Sequence, residues 1–292
     1  MIEIDNSPDI SFETLYNIGF LKHVIIDGLD GSGKGTIVDE LSSMLASRGL
    51  NVLSIELPQY EQPWGQVIKR VLHSDAIDLT LEERMLLYVL NRLETIDAIK
   101  KQSCDIYERS NKEVVLLFDR FVTSNVITCA YYSKTHDTNL NIKKLYEFML
   151  ESDRYFLESL HLEDFHVVVP QISADLAVNS LMADNTRKDG PDLYENTDVQ
   201  SIADRYYQIL SDNSGNRQKI SLVPQIENGI RLSPNTVSKR IIDMMFEATT
   251  TASSGGIREK LHISEISSEL LGEMYRMLQS GKYPTLANLD PY

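Results

Sequence analysis

Short apolar runs alternate along the chain with segments whose apolar residues recur every three or four positions. Leu21 to Ile26 is a nearly continuous apolar run of the kind a parallel strand covered on both faces requires, and Ile37, Leu41, Met44 and Leu45 follow as a helical stripe. Further strand-like runs stand at 52–56, 114–118, 165–169 and 219–223, with helical stretches between them. This alternation predicts an α/β chain of three layers, α/β/α, around a central five-stranded parallel sheet. The longest helical stripe, carried by Leu86, Leu90 and Leu93, predicts one helix over 81–101. Residues 140–160 and 197–212 also read as helical. A last helix over 233–247 has Ser233 as its cap and Pro234 in its first turn.

The pattern changes at both ends. Residues 1–20 are polar and acidic, with Phe12, Leu15 and Phe20 as docking points, and read as an extension of a main domain over 21–248. Residues 249–256 have linker composition. Beyond them Ile266, Leu270, Met274 and Met277 share one helical face, so 249–292 reads as a linker and helical tail.

The first strand runs into Asp27-Gly28-Leu29-Asp30-Gly31-Ser32-Gly33-Lys34-Gly35-Thr36. Gly28, Gly33 and Lys34 have P-loop spacing, in which successive backbone N–H groups wrap a phosphate chain and the lysine reaches its outer end. The helix that follows opens its positive end toward the same anion. Strand, loop and helix in that order point to a P-loop NTPase-type fold that binds a nucleoside triphosphate. Gly35 departs from the strict pattern, since the Ser or Thr hydroxyl comes one residue later, at Thr36.

A formal charge of −15 excludes broad binding to nucleic acid or anionic membrane, and concentrates interest on where the few cations gather. Cys104 and Cys129 form no disulfide framework, which points to a reducing, cytoplasmic setting. The six histidines show no metal-site spacing, and no apolar run is long enough to span a bilayer.

Asp119 and Arg120 follow the third strand, at the sheet edge where open α/β folds bind ligands. Asp119 suits a magnesium shell and Arg120 a second phosphate; a strand-end ion pair is the plain alternative. Tyr88 and Arg92 lie four residues apart on one helical face. They suit stacking and hydrogen bonding of a base, or else are a core tyrosine and a solvated arginine. Glu108-Arg109-Ser110 reads as a connecting turn before the third strand.

Taken in order, the segments 28–36, Leu57-Pro58 through Gly65, Leu86-Leu87-Tyr88-Val89-Leu90-Asn91-Arg92, 119–125 and Asp192-Leu193-Tyr194-Glu195-Asn196 resemble thymidylate kinases over about 22–247. The resemblance implies ATP-dependent phosphorylation of dTMP to dTDP with Mg2+. It implies that the loop residues Gly28, Asp30, Gly31, Ser32, Gly33, Lys34, Gly35 and Thr36 hold ATP, with Asp30 near the acceptor sugar. Tyr88 then stacks on the base, Arg92 reaches the base and phosphate region, and Arg120 binds the acceptor phosphate. Ser124 and Asn125 face the pyrimidine edge, Pro58 and Tyr60 border the acceptor, and Tyr194 and Glu195 begin the helix after a lid over about 184–196. Thr36 and Asp119 are the magnesium ligands of this reading. A homodimer is implied by analogy.

Four positions depart from the family pattern. Gly35 lacks the usual hydroxyl, Tyr60 stands where an arginine is common, Thr128 replaces an aromatic residue beside the sugar 2′ position, and Leu193 replaces a lid arginine. Arg187 and Lys188 are the cations placed to supply that lid charge. Tyr60 and Thr128 keep open another pyrimidine monophosphate acceptor, such as dUMP or a 5-substituted dUMP. Gly35 keeps open a nucleotide-binding module without catalysis.

Overall fold

The computed structural model describes residues 10–73, 79–126, 128, 130, 141–183, 194–246, 255–263 and 266–280. The strands are β1 (Leu21–Ile26), β2 (Asn51–Glu56), β3 (Val114–Asp119), β4 (Phe165–Gln171), β5 (Gln218–Pro224) and, after a small hairpin of β6 (Ile226–Glu227) with β7 (Ile230–Arg231), β8 (Arg258–Lys260). Six of them form one parallel sheet in the order β5-β4-β1-β3-β2-β8.

The helices are α1 (Phe12–Asn17), α2 (Lys34–Ser47), α3 (Pro63–Leu72), α4 (Leu81–Leu93), α5 (Ile96–Ser110), α6 (Ile142–Ser152), α7 (Arg154–Ser159), α8 (Ala174–Met182), α9 (Thr197–Asp212), α10 (Pro234–Met245) and α11 (Ser268–Gln279). Strand side chains alternate between faces, which builds two cores. Val24, Ile26, Val52, Val115 and Leu117 pack under α2 and α10. Ile25, Leu53, Ile55, Leu116 and Phe118 face the larger helical layer of the other side.

The five apolar runs of the sequence are five of the six strands. The sixth, β8, comes from the segment expected to be linker and tail. Arg258-Glu259-Lys260 carries no apolar pattern, because an edge strand is held by its backbone and tolerates charge. Its attachment is nonetheless specific: Val52 N–H donates to Ile257 O at 2.8 Å, Leu261 N–H to Ser54 O at 2.8 Å, and Gly256 N–H to Ala46 O at 2.8 Å. A Cβ on Gly256 would stand 1.7 Å from Leu50 O, so the chain passes there only as glycine.

The helix expected over 81–101 is two helices. Glu94 and Thr95 break it without Gly or Pro, because their side chains are used elsewhere: Glu94 accepts from Trp64 N–H at 3.1 Å and from Asn91 Nδ2 at 3.0 Å, and Thr95 Oγ1 donates to Arg92 O at 2.7 Å. Residues 140–160 likewise divide, into α6 and α7. Glu108-Arg109-Ser110 is the last turn of α5 instead of a connecting turn, and Arg109 pairs with Glu259 of β8 at 2.7 Å. In the N-terminal extension, Phe12 and Leu15 of α1 are buried, and Glu13 pairs with Lys100 of α5 at 3.2 Å. Among the described residues no helix is long and apolar enough to cross a membrane.

Candidate active site

The loop after β1 gets its shape from three glycines with positive φ: Gly28 (131°), Gly31 (77°) and Gly33 (85°). Gly33 is the N-cap of α2 and offers no side-chain cap, so the first N–H groups of that helix are left for a ligand. Gly31 is also squeezed: a Cβ there would meet Ala177 O of α8 at 2.0 Å. That contact leaves no room for a side chain at this position.

Lys34 is buried and folds back over its own loop, donating to Gly28 O at 2.9 Å and Leu29 O at 2.7 Å, with Asp30 Oδ1 at 3.6 Å. Burial, aided by Arg120, pulls its pKa below the ordinary lysine value against the nearby carboxylates. Arg120, in a left-handed backbone conformation at φ 70°, directs its guanidinium to Asp30 Oδ1. Burial resists ionisation of Asp30, but the charges of Arg120 and Lys34 outweigh it and hold its pKa at about 2. Asp30 is therefore a permanent anion between two cations.

A cleft opens beside Asp30 and Arg120, both of which line it. Tyr88, Pro58, Tyr60 and Tyr194 stand on its walls, and Arg92 and Ser124 also border it. Arg92 is buried, and its guanidinium is held two-pronged by Asp153, Nε to Oδ1 at 2.7 Å and Nη2 to Oδ2 at 2.5 Å. Ser124 turns its hydroxyl to Asp27 Oδ1 at 2.7 Å. Asn125 is fully buried, and both its amide atoms lack a hydrogen-bond partner among the described residues. Thr128 and Glu195 are buried; Thr36 and Gly35 are exposed in the first turn of α2. Asp119, the last residue of β3, continues the alternation of Val115 and Leu117 and so lies on the α2 face. Arg187, Lys188 and Leu193 lie outside the described residues, as does most of the expected lid. Cys129 does too.

Several residues around the site are given no role by the sequence patterns. Asp27 is fully buried and collects the hydroxyls of Thr123, Ser124 and Tyr207, the last at 3.1 Å, which ties β1 to the Asp119–Asn125 turn and to α9. Burial raises its pKa, although the Thr123 and Ser124 hydroxyls and the charge of Arg120 oppose the shift. Asn91 holds the Gln59 backbone from both sides, at 2.7 and 3.1 Å, and so sets the Pro58–Tyr60 wall. Gln200 joins Asp30 N–H (3.1 Å) to Tyr194 O (2.9 Å). Gln225 Nε2 donates to Ser32 O at 2.8 Å, and Arg231 Nη2 reaches the same carbonyl at 3.4 Å. These contacts span 170 to 199 residues of sequence, beyond any local signal.

The chain is similar to known proteins in the same terms. The family model described as thymidylate kinase matches residues 26–165. A thymidylate kinase of Chlorobaculum tepidum is 26% identical over 224 residues, covering 75% of this chain and 94% of the relative. Two from Prochlorococcus marinus are 27% and 29% identical; the first match covers 75% of this chain and 97% of the relative, the second 46% and 62%. The solved thymidylate kinase of Candida albicans superposes with a TM-score of 0.49 at 19% identity, over 76% of this chain and 90% of that one. With the family model, the curated relatives and a P-loop set beside an aromatic-walled cleft in agreement, the chain is similar to thymidylate kinases, which are phosphotransferases.

Proposed function

We propose that this chain transfers the γ-phosphoryl group of ATP to the 5′-phosphate of dTMP. The bond from the γ-phosphorus to ADP breaks as one to an acceptor oxygen forms, and dTDP and ADP leave. The observation that carries the reading is Asp30, flanked by Lys34 of the donor loop on one side and Arg120 of the cleft on the other.

The acceptor oxygen is already an anion at neutral pH, so the reaction asks for alignment and charge neutralisation and needs no strong base. The loop amides and Lys34 hold the donor phosphates; Arg120 clamps the acceptor phosphate, with Asp30 beside it fixing the guanidinium and facing the sugar. Tyr88 offers a ring face to the base. Asn125, with an amide unclaimed by the described residues, offers a donor and an acceptor for the base edge. Arg92, fixed by Asp153, borders the same cleft. Arg187 and Lys188 are the proposed lid cations. The α2 N-terminus and the positive-φ glycines fit a triphosphate. Thr36 and Asp119 are hard oxygen donors, a sparse set that suits Mg2+, which keeps several waters and shares substrate phosphates. When bound, that ion neutralises charge on the transferring group. A cytoplasmic homodimer belongs to the same reading.

The test is kinetic. Arg120→Ala should lower kcat/KM for dTMP by about 10²–10³-fold, the usual cost of one charge-stabilising donor, and leave the KM for ATP within about threefold. Unchanged kcat/KM for dTMP, or a loss confined to ATP, contradicts the assignment.

A further inference from the structure

A second cavity of about 240 Å³ opens beside the first turn of α2, walled by Gly35 and Asp39 of that helix, Glu56 of β2, Asp119 of β3 and Lys260 of β8. Lys260 is the one cation among its described lining residues. Its direction follows from strand alternation. Arg258 pairs in register with Val52 and Lys260 with Ser54, so both occupy the α2 face of the sheet. Arg258 Nε donates to Ser42 Oγ of α2 at 3.1 Å, and Lys260 stands two residues further toward the edge where Asp119 ends β3. Gly35 leaves open space where a side chain would project. Three carboxylates and one ammonium make a poor site for a bare anion, and a suitable one for a triphosphate that brings its own divalent cation.

We propose that β8, a strand added to the kinase sheet by the C-terminal segment, delivers Lys260 to the γ-phosphate of metal-bound ATP. The inference rests on the phosphoryl-transfer reading for its donor and deepens it. Gly31, pressed against α8, has no room for a side chain, and Lys260 supplies a cation from β8. The C-terminal segment is then part of the nucleotide site.

The experiment is equilibrium binding to the full chain, with magnesium present, of ADP and of a non-hydrolysable ATP analogue. Lys260→Met should weaken the analogue about tenfold, the usual worth of one charge-assisted hydrogen bond, and leave ADP within about twofold. Lys260→Arg should recover most of the loss. Gly256→Val, which displaces β8, should lose the same γ-phosphate increment. Equal weakening of both nucleotides in Lys260→Met, or no change in either, overturns the proposal. The readout is independent of the acceptor. If the wild-type chain phosphorylates no monophosphate while Lys260→Met still loses affinity for the analogue alone, the dTMP reading falls and the role of Lys260 stands.

Discussion

In the proposed reaction Asp30 sits where two repelling phosphates meet, and its charge is secured by Lys34 and Arg120. Replacing Lys34 by Ala removes the loop's own cation, and turnover should fall by about 10²–10³-fold or more; near-normal activity in that variant contradicts the donor role. The local motif made Gly28, Gly33 and Lys34 legible, because a phosphate cradle is built from consecutive residues. It also placed Asp119 and Arg120 at the sheet edge. The Ser124 hydroxyl, expected to face the base edge, donates to the buried carboxylate of Asp27. Arg92, expected to reach the base and phosphate region, is held by Asp153 from sixty-one residues away. Partners of this kind are set by packing, and a spacing along one helix does not reveal them.

At the scale of elements, the strands with apolar runs and the capped helices were readable, including α9 at 197–212 and the Ser233 cap, whose Oγ accepts from Thr236 N–H at 3.2 Å. The α4–α5 break was not, since it depends on what Glu94 binds. Burial pushes the Glu94 carboxyl from its usual 4.5 up to about 7. Between those values the folded state holds more protons than the unfolded one, so this contribution is full below pH 4.5 and is lost as pH rises through about 7. Thermal unfolding at pH 5 and pH 8 should therefore show wild type losing ground to Glu94→Gln at the higher pH; a constant offset contradicts the argument. The strand β8 was also invisible, being short, charged and dependent on backbone pairing. Gly256→Val should destabilise the fold by about 1–3 kcal/mol through overpacking against Leu50. An unchanged melting temperature would show that β8 is not held as described.

Over the whole molecule, a net charge of −15 turns the placement of Arg92 and Arg120 at one cavity and Lys260 at the other, with Lys34 beside Asp30, into a functional signal. The layered fold was legible because alternation of strands and helices reports topology directly. The acceptor was legible only through resemblance, since no elementary rule turns Tyr88 and Asn125 into thymine. The relatives it resembles are phosphotransferases, and in the proposed reaction the cleft selects the monophosphate. The most direct measurement is ADP release with saturating ATP across dTMP, dUMP, 5-substituted dUMP and ribonucleoside monophosphates. The account predicts the highest kcat/KM with dTMP; faster use of another monophosphate, or ADP release with none of them, contradicts it.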